Sequence, residues 1–125
     1  MKKRNGFTLI ELLAVIAILA IILLIAVPMI LSVINNAKKS AFTSSCKMIV
    51  SAAEKHYALG LATGTSGVGS YTFNATGTGT SSAFVTAKGI TGGSVAIAAN
   101  GTVTITSITD GTYTTSDATC ATLTP

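Results

Sequence analysis

Few residues in this 125-residue chain can do chemistry. Gly6-Phe7 is a peptide junction behind a basic leader, Lys2-Lys3-Arg4. Glu11 is a carboxylate inside an apolar run. His56 is the sole histidine, and Cys46 and Cys120 are the sole cysteines. Asp110 and Asp117 are the only acids after Glu54. His56 has no carboxylate, cysteine or second histidine at ligand spacing, so a half-exposed helical histidine is expected rather than a metal or catalytic group. Two aspartates seven residues apart are thin for a hard cation that takes six to eight oxygens. Residues 61–125 contain no Ser/His/Asp set, no Cys/His pair, no paired carboxylates and no phosphate-binding loop. No catalytic residue, cofactor or metal is therefore expected. What remains is a junction, an acid and two thiols.

The elements that must position them follow from the hydropathy pattern. Hydrophobic residues make up 49% of the chain and charged residues 10%, with the apolar ones concentrated at one end. From Leu12 to Leu31 no side chain is charged or hydrogen-bonding. Twenty such residues match the ~30 Å hydrocarbon layer of a bilayer. The run is too long for a secretory signal peptide and holds no A-x-A cleavage site. It predicts a single-pass anchor, with Lys2, Lys3 and Arg4 holding the N-terminus in the cytoplasm; Lys38 and Lys39 beyond the run weaken that asymmetry. The formal charge of +4 comes largely from the leader. From Leu61 to Pro125 only Lys88, Asp110 and Asp117 are charged, which is no electrostatic footprint for nucleic acid.

An anchor alone does not explain Glu11. An acid in mid-membrane costs about 2.5–3.5 kcal/mol, less near the interface. Its neighbours Leu9, Ile10, Leu12 and Leu13 offer no partner, which leaves a newly created charge or another chain. The stretch KKRNGFTLIELLAVIAILAIILLIAVP resembles the N-terminal signal of type IV prepilins and the related pseudopilins. The short basic leader, Gly6-Phe7, Thr-Leu-Ile-Glu, the long apolar helix and Pro28 all stand at that family's spacing, over Lys2 to about Ile34. The resemblance implies that a prepilin peptidase cuts after Gly6 and that Phe7, the new N-terminus, is N-methylated. Cutting there creates an α-amino cation at Phe7, one helical turn from Glu11 in the same chain; in a packed filament Glu11 can instead face the Phe7 amine of a neighbouring subunit. The resemblance also favours Pro28 as a kink or point of local melting that lets helices pack. A buried acid–amine pair suits a registry device better than a source of stability. Bland alternatives are a tolerated interfacial acid at Glu11 and a tolerated membrane-helix proline at Pro28.

Beyond Ile30, Phe42, Cys46, Ile49, Ala53 and Tyr57 recur at helical spacing, flanked by Ser45, Met48 and Ala52, with Lys47 and Glu54 opposite. Gly60 is the expected C-cap. One helix over residues 7–60 would be roughly 80 Å long at ~1.5 Å per residue. Its second half needs cover, which residues 61–125 must supply. That head is rich in Thr, Gly and Ser and carries short strand-like runs: SYTF, SAFVTA, GSVAIAA and TVTITSI. The fold class is therefore α+β: a long N-terminal helix, transmembrane then amphipathic, packed against a small antiparallel sheet. Asn100-Gly101 marks a hairpin. A two-residue turn would put the large apolar residues on opposite faces. A three-residue loop, Ala99-Asn100-Gly101, pairs Ile97 with Val103 and Val95 with Ile105 and keeps all four on one face, so that register is predicted.

Cys46 shares the apolar helix face and Cys120 lies near the C-terminus. A Cys46–Cys120 disulfide would pin the chain end to the helix; two free, buried cysteines are the alternative. Many pilins bridge two C-terminal cysteines instead. Asn74-Ala75-Thr76 and Asn100-Gly101-Thr102 match N-x-[ST], as chance allows in such a segment.

The sequence thus predicts a leader at 1–6, a helix at 7–60 and a head at 61–125. The function implied by the resemblance is a structural subunit of a type IV pilus, polymerised through its helix into a surface filament for adhesion, motility or DNA uptake. The alternative is a pseudopilin of a type II secretion or competence system, and a remoter one is a membrane-anchored binding domain. The implied partners are other pilin subunits, the prepilin peptidase, and an inner-membrane assembly platform with its ATPase. The precursor is expected in the cytoplasmic membrane and the assembled subunit in an extracellular filament.

Overall fold

The computed structural model describes residues 6–73, 87 and 89–125. The chain forms two compact units, Met1–Ala37 and Lys38–Pro125, and a 55-residue helix, α1 (Leu9–Thr63), belongs to both.

In the first unit, α1 opens where the Leu12 N–H donates to the Thr8 carbonyl at 3.2 Å. Every large apolar side chain from Leu9 to Ile34 is exposed. That is far more contiguous apolar surface than a chain alone in water sustains. A window of mean hydropathy 3.2 makes α1 long and apolar enough to cross a membrane. Pro28 lies inside the helix. Its nitrogen carries no hydrogen, so the Leu24 carbonyl has no donor one turn on.

In the second unit, the rest of α1 turns amphipathic and its apolar stripe is buried. Phe42, Cys46, Ile49, Ala53 and Gly60 are its buried residues. The first four share one core with the inner face of a four-stranded antiparallel sheet of order β1-β2-β3-β4, formed by β1 (Gly69–Phe73), β2 (Gly92–Ile97), β3 (Val103–Thr109) and β4 (Thr114–Thr115). The fold is α+β. The central row pairs Tyr71 with Val95 and Val95 with Ile105, all buried. The opposite row, Ser70, Ala96 and Thr104, is exposed. That alternation is what a one-sided antiparallel sheet requires. Fully burying a side chain such as Ile49 contributes about 1.5–3 kcal/mol.

The β2–β3 hairpin has the predicted register, with Ile97 opposite Val103 and Val95 opposite Ile105. Gly101 adopts φ +83° and its N–H donates to the Ala98 carbonyl at 2.9 Å. The Tyr57 hydroxyl donates to the Ala99 carbonyl at 2.8 Å, tying the loop to α1.

A second irregularity is not foreseen from the pattern. Between the Ser94–Thr106 and Gly92–Thr109 pairs, β3 holds two residues against one in β2. Ser107 takes φ +50° and Gly93 φ +121° there. This bulge resets the alternation, so Ile105 and Ile108, three residues apart, both reach the core. A Cβ on Gly93 would stand 2.6 Å from the Ile108 Cα.

Three further expectations need correction or lie elsewhere. α1 does not stop at Gly60; it continues to Thr63, and Gly64 at φ +69° follows it. Gly60 serves packing instead, because a Cβ there would meet the Gly67 nitrogen at 2.5 Å. The short β4 had no periodic signal, and its Thr114 pairs with Thr124 through bonds of 2.7 and 2.9 Å. The expected SAFVTA strand lies outside the described residues save Ala87, which is buried.

Candidate functional site

The site begins with three residues ahead of α1. Gly6, Phe7 and Thr8 are outside the helix, and Phe7 is 86% exposed. The Gly6–Phe7 peptide therefore lies outside the hydrogen-bonded helix. A Cβ on Gly6 would meet nothing within 4 Å, and its φ is not in the left-handed region. Nothing within the described chain requires glycine at this position.

Glu11 has a partner that the sequence reading missed. The Thr8 N–H donates to Glu11 Oε2 at 2.9 Å, and the Glu11 N–H donates to Thr8 Oγ1 at 3.4 Å. Thr8 is the N-cap and Glu11 the third helical residue of a reciprocal capping box. Two N–H groups that the first turn leaves orphaned are thereby satisfied, and a negative charge stands at the positive end of the helix dipole. The expectation that nearby residues offer no partner is overturned. It considered only the apolar neighbours, whereas the signal was Thr-Leu-Ile-Glu itself, an S/T-x-x-E pattern directly before an apolar run.

The box fixes where the carboxylate points. The nitrogen it accepts from belongs to Thr8, one residue after the nitrogen that cutting at Gly6–Phe7 would turn into an α-amine. The carboxylate thus waits beside the position where a new cation would appear.

At the other end of the chain, Cys46 and Cys120 are joined by a disulfide with Cα atoms 6.0 Å apart. Both are fully buried. Asp117 builds the turn that delivers Cys120. Its Oδ1 accepts from the Thr119 N–H at 2.9 Å, its Oδ2 accepts from the Thr119 hydroxyl, and from that of Thr122 at 3.3 Å. Its carbonyl accepts the Cys120 N–H at 2.8 Å, and Cys120 adopts φ +56°. The Thr119 hydroxyl above all, and then the Thr119 N–H, hold the Asp117 carboxyl below the usual range. Asp110 is occupied likewise: its Oδ1 accepts the Thr112 and Tyr113 N–H groups at 2.8 and 2.7 Å. His56 is half-buried, with its ring edge-on to Tyr71 at 5.4 Å.

Residues 1–27 match the prokaryotic N-terminal methylation motif. The match spans the Gly6–Phe7 junction, the Thr8–Glu11 box and most of the apolar run. It fits the family of type IV pilins and pseudopilins, so the chain carries the processing signal of a type IV pilin-like or pseudopilin protein. No curated protein and no solved structure matches the chain.

Proposed function

We propose that this chain is the precursor of a structural filament subunit, a type IV pilin. Residues 1–6 are its leader, the chain from Phe7 through the end of α1 carries the core helix, and the residues after α1 are the surface head. A prepilin peptidase removes the leader after Gly6, and Phe7 becomes an N-methylated terminus. The membrane holds the precursor, N-terminus in the cytoplasm, until the assembly platform and its ATPase draw it into the filament. There the surface of Leu9–Ile34 packs against other subunits, with Pro28 supplying a kink. No reaction is catalysed by the subunit.

The observation that carries this reading is the capping box beside the junction. Cutting removes Lys2, Lys3 and Arg4 and creates one cation beside a carboxylate already aimed at that place. Glu11 then pairs with the Phe7 amine of its own chain or of a neighbour, and the neighbour's amine sets the registry. Gly6, which nothing among the described residues needs as glycine, suits a peptidase that requires a bare backbone. Pilus rather than pseudopilus is favoured because Asp110 and Asp117 are each engaged by their own turns and offer little to a structural cation.

Glu11→Ala and Glu11→Gln test the role of the charge. Glutamine can still complete the capping box but cannot pair as an anion. Both variants are expected to be cut after Gly6 and to yield few filaments. Normal filament yield from Glu11→Gln would refute the registry role and leave only the cap.

A further inference from the structure

The β2–β3 hairpin turns on Asn100-Gly101, a dipeptide with chemistry of its own. Asparagine is one of the thermolabile residues. The backbone nitrogen that follows it can attack the side-chain Cγ, and glycine, with no Cβ, leaves that approach open. A bond forms between the Gly101 nitrogen and Asn100 Cγ, and the Cγ–Nδ2 bond breaks. Nδ2 leaves as ammonia, taking the proton from the Gly101 nitrogen. One water then opens the succinimide ring. Opening at Cγ leaves aspartate on a normal backbone. Opening at the Asn100 main-chain carbonyl leaves isoaspartate, with one extra carbon in the main chain. Nothing is oxidised or reduced.

The fold holds both reacting groups. The Gly101 N–H donates to the Ala98 carbonyl at 2.9 Å, a bond that a succinimide nitrogen, having no hydrogen, cannot make. Asn100 Oδ1 accepts the Thr102 N–H at 3.0 Å. Tyr57 covers the turn from the α1 side: a Cβ on Gly101 would stand 2.7 Å from its Cε1, and its hydroxyl holds the Ala99 carbonyl at 2.8 Å. Asn100 itself is exposed, so water reaches the carboxamide. Reaction therefore waits on opening of the loop and not on access of water. The two products differ in consequence. Aspartate adds one negative charge and leaves the backbone unchanged. Isoaspartate lengthens a loop that is closed by the Ala98 N–H on the Thr102 carbonyl at 3.0 Å and by the Ile97–Val103 pair.

We propose that Asn100-Gly101 is a spontaneous deamidation site, with water as its only co-reactant, which the folded head keeps closed and Tyr57 guards. A head that stays folded keeps its asparagine. A head whose loop opens acquires an acid, or a lengthened loop that no longer fits the three-residue register. The inference is independent of the filament reading, since it rests on the hairpin alone.

Ageing of the uncut chain tests it. The full chain, in detergent micelles and mildly alkaline buffer, is held folded or in urea, then digested and read by mass spectrometry for amide-to-acid conversion at Asn100. Fragmentation separates isoaspartate from aspartate. Asn5-Gly6, the same dipeptide outside the head, is the internal reference in both solutions. Conversion at Asn100 relative to Asn5 is expected to rise about tenfold or more in urea, the factor equivalent to about 1.4 kcal/mol of loop opening. Tyr57→Phe keeps the ring and loses the bond to Ala99. It should speed conversion at Asn100 about fivefold in the folded chain, the factor equivalent to about 1 kcal/mol for one hydrogen bond, and leave the urea rate unchanged. Near-ultraviolet dichroism of the remaining tyrosines shows whether the variant is folded, and the wild-type ratio decides alone where it is not. A ratio that urea leaves unchanged overturns the proposal. A folded Tyr57→Phe chain that reacts at the wild-type rate overturns it too.

Discussion

Removing the Cys46–Cys120 bridge should cost the head most of its stability. The bond closes a loop with a sequence separation of 74. In the chain-entropy account, releasing a loop of that length returns about 4.5 kcal/mol of freedom to the unfolded chain. Small domains have only about 5–15 kcal/mol in total. The buried core around the bridge is built mostly of Ile, Val and Ala, with Phe42, Tyr71 and Tyr113 as its larger members, the Phe42 and Tyr113 ring centroids 6.3 Å apart. It holds little reserve. The double variant Cys46→Ala/Cys120→Ala is compared with the wild type, full length in detergent micelles, during urea unfolding. The chain has no tryptophan, so near-ultraviolet dichroism of Tyr57, Tyr71 and Tyr113 reports the head. At a slope of about 1–3 kcal/mol per M, the midpoint should fall by roughly 1.5–4.5 M. A fall equivalent to less than about 1 kcal/mol would refute the argument and show that core packing, not the tie, holds the head.

Two more predictions concern the head. Gly93→Ala should destabilise it by about 3 kcal/mol or more, because the added Cβ meets the Ile108 backbone at 2.6 Å and Gly93 sits at φ +121°; a thermal melt within a degree or two of wild type contradicts the bulge. Asp117 should make the head acid-sensitive. Its carboxyl is lowered in the folded state, so its contribution is present above the ordinary aspartate range and is lost as pH falls through the folded value. Melting temperature across the acid range should fall less steeply for Asp117→Asn, and identical slopes would exclude Asp117 as a contributor.

The parts of this architecture that were legible in the sequence are those set by periodicity and burial. The stripe of Phe42, Cys46, Ile49 and Ala53 is buried as its 3–4-residue spacing requires. The hairpin register followed from one constraint, that Val95, Ile97, Val103 and Ile105 share a face. The features that escaped are set by backbone contacts. The bulge at Ser107 depends on Gly93 approaching Ile108 across the sheet. Gly60 lies inside α1 and packs against Gly67, an approach that hydropathy cannot register. Thr8 differs: its partnership with Glu11 is set by local spacing, a threonine three residues ahead of the acid, and not by charge or hydropathy. The capping box was readable, and it changes the account of Glu11 from an unpartnered acid to one already held by Thr8.

The most direct test of the central claim is the mass of the N-terminal peptide from the protein purified from its own cells. The account predicts a chain that begins at Phe7 and carries one methyl group on its nitrogen. A functional protein that retains Met1 and the Lys2-Lys3-Arg4 leader would contradict it.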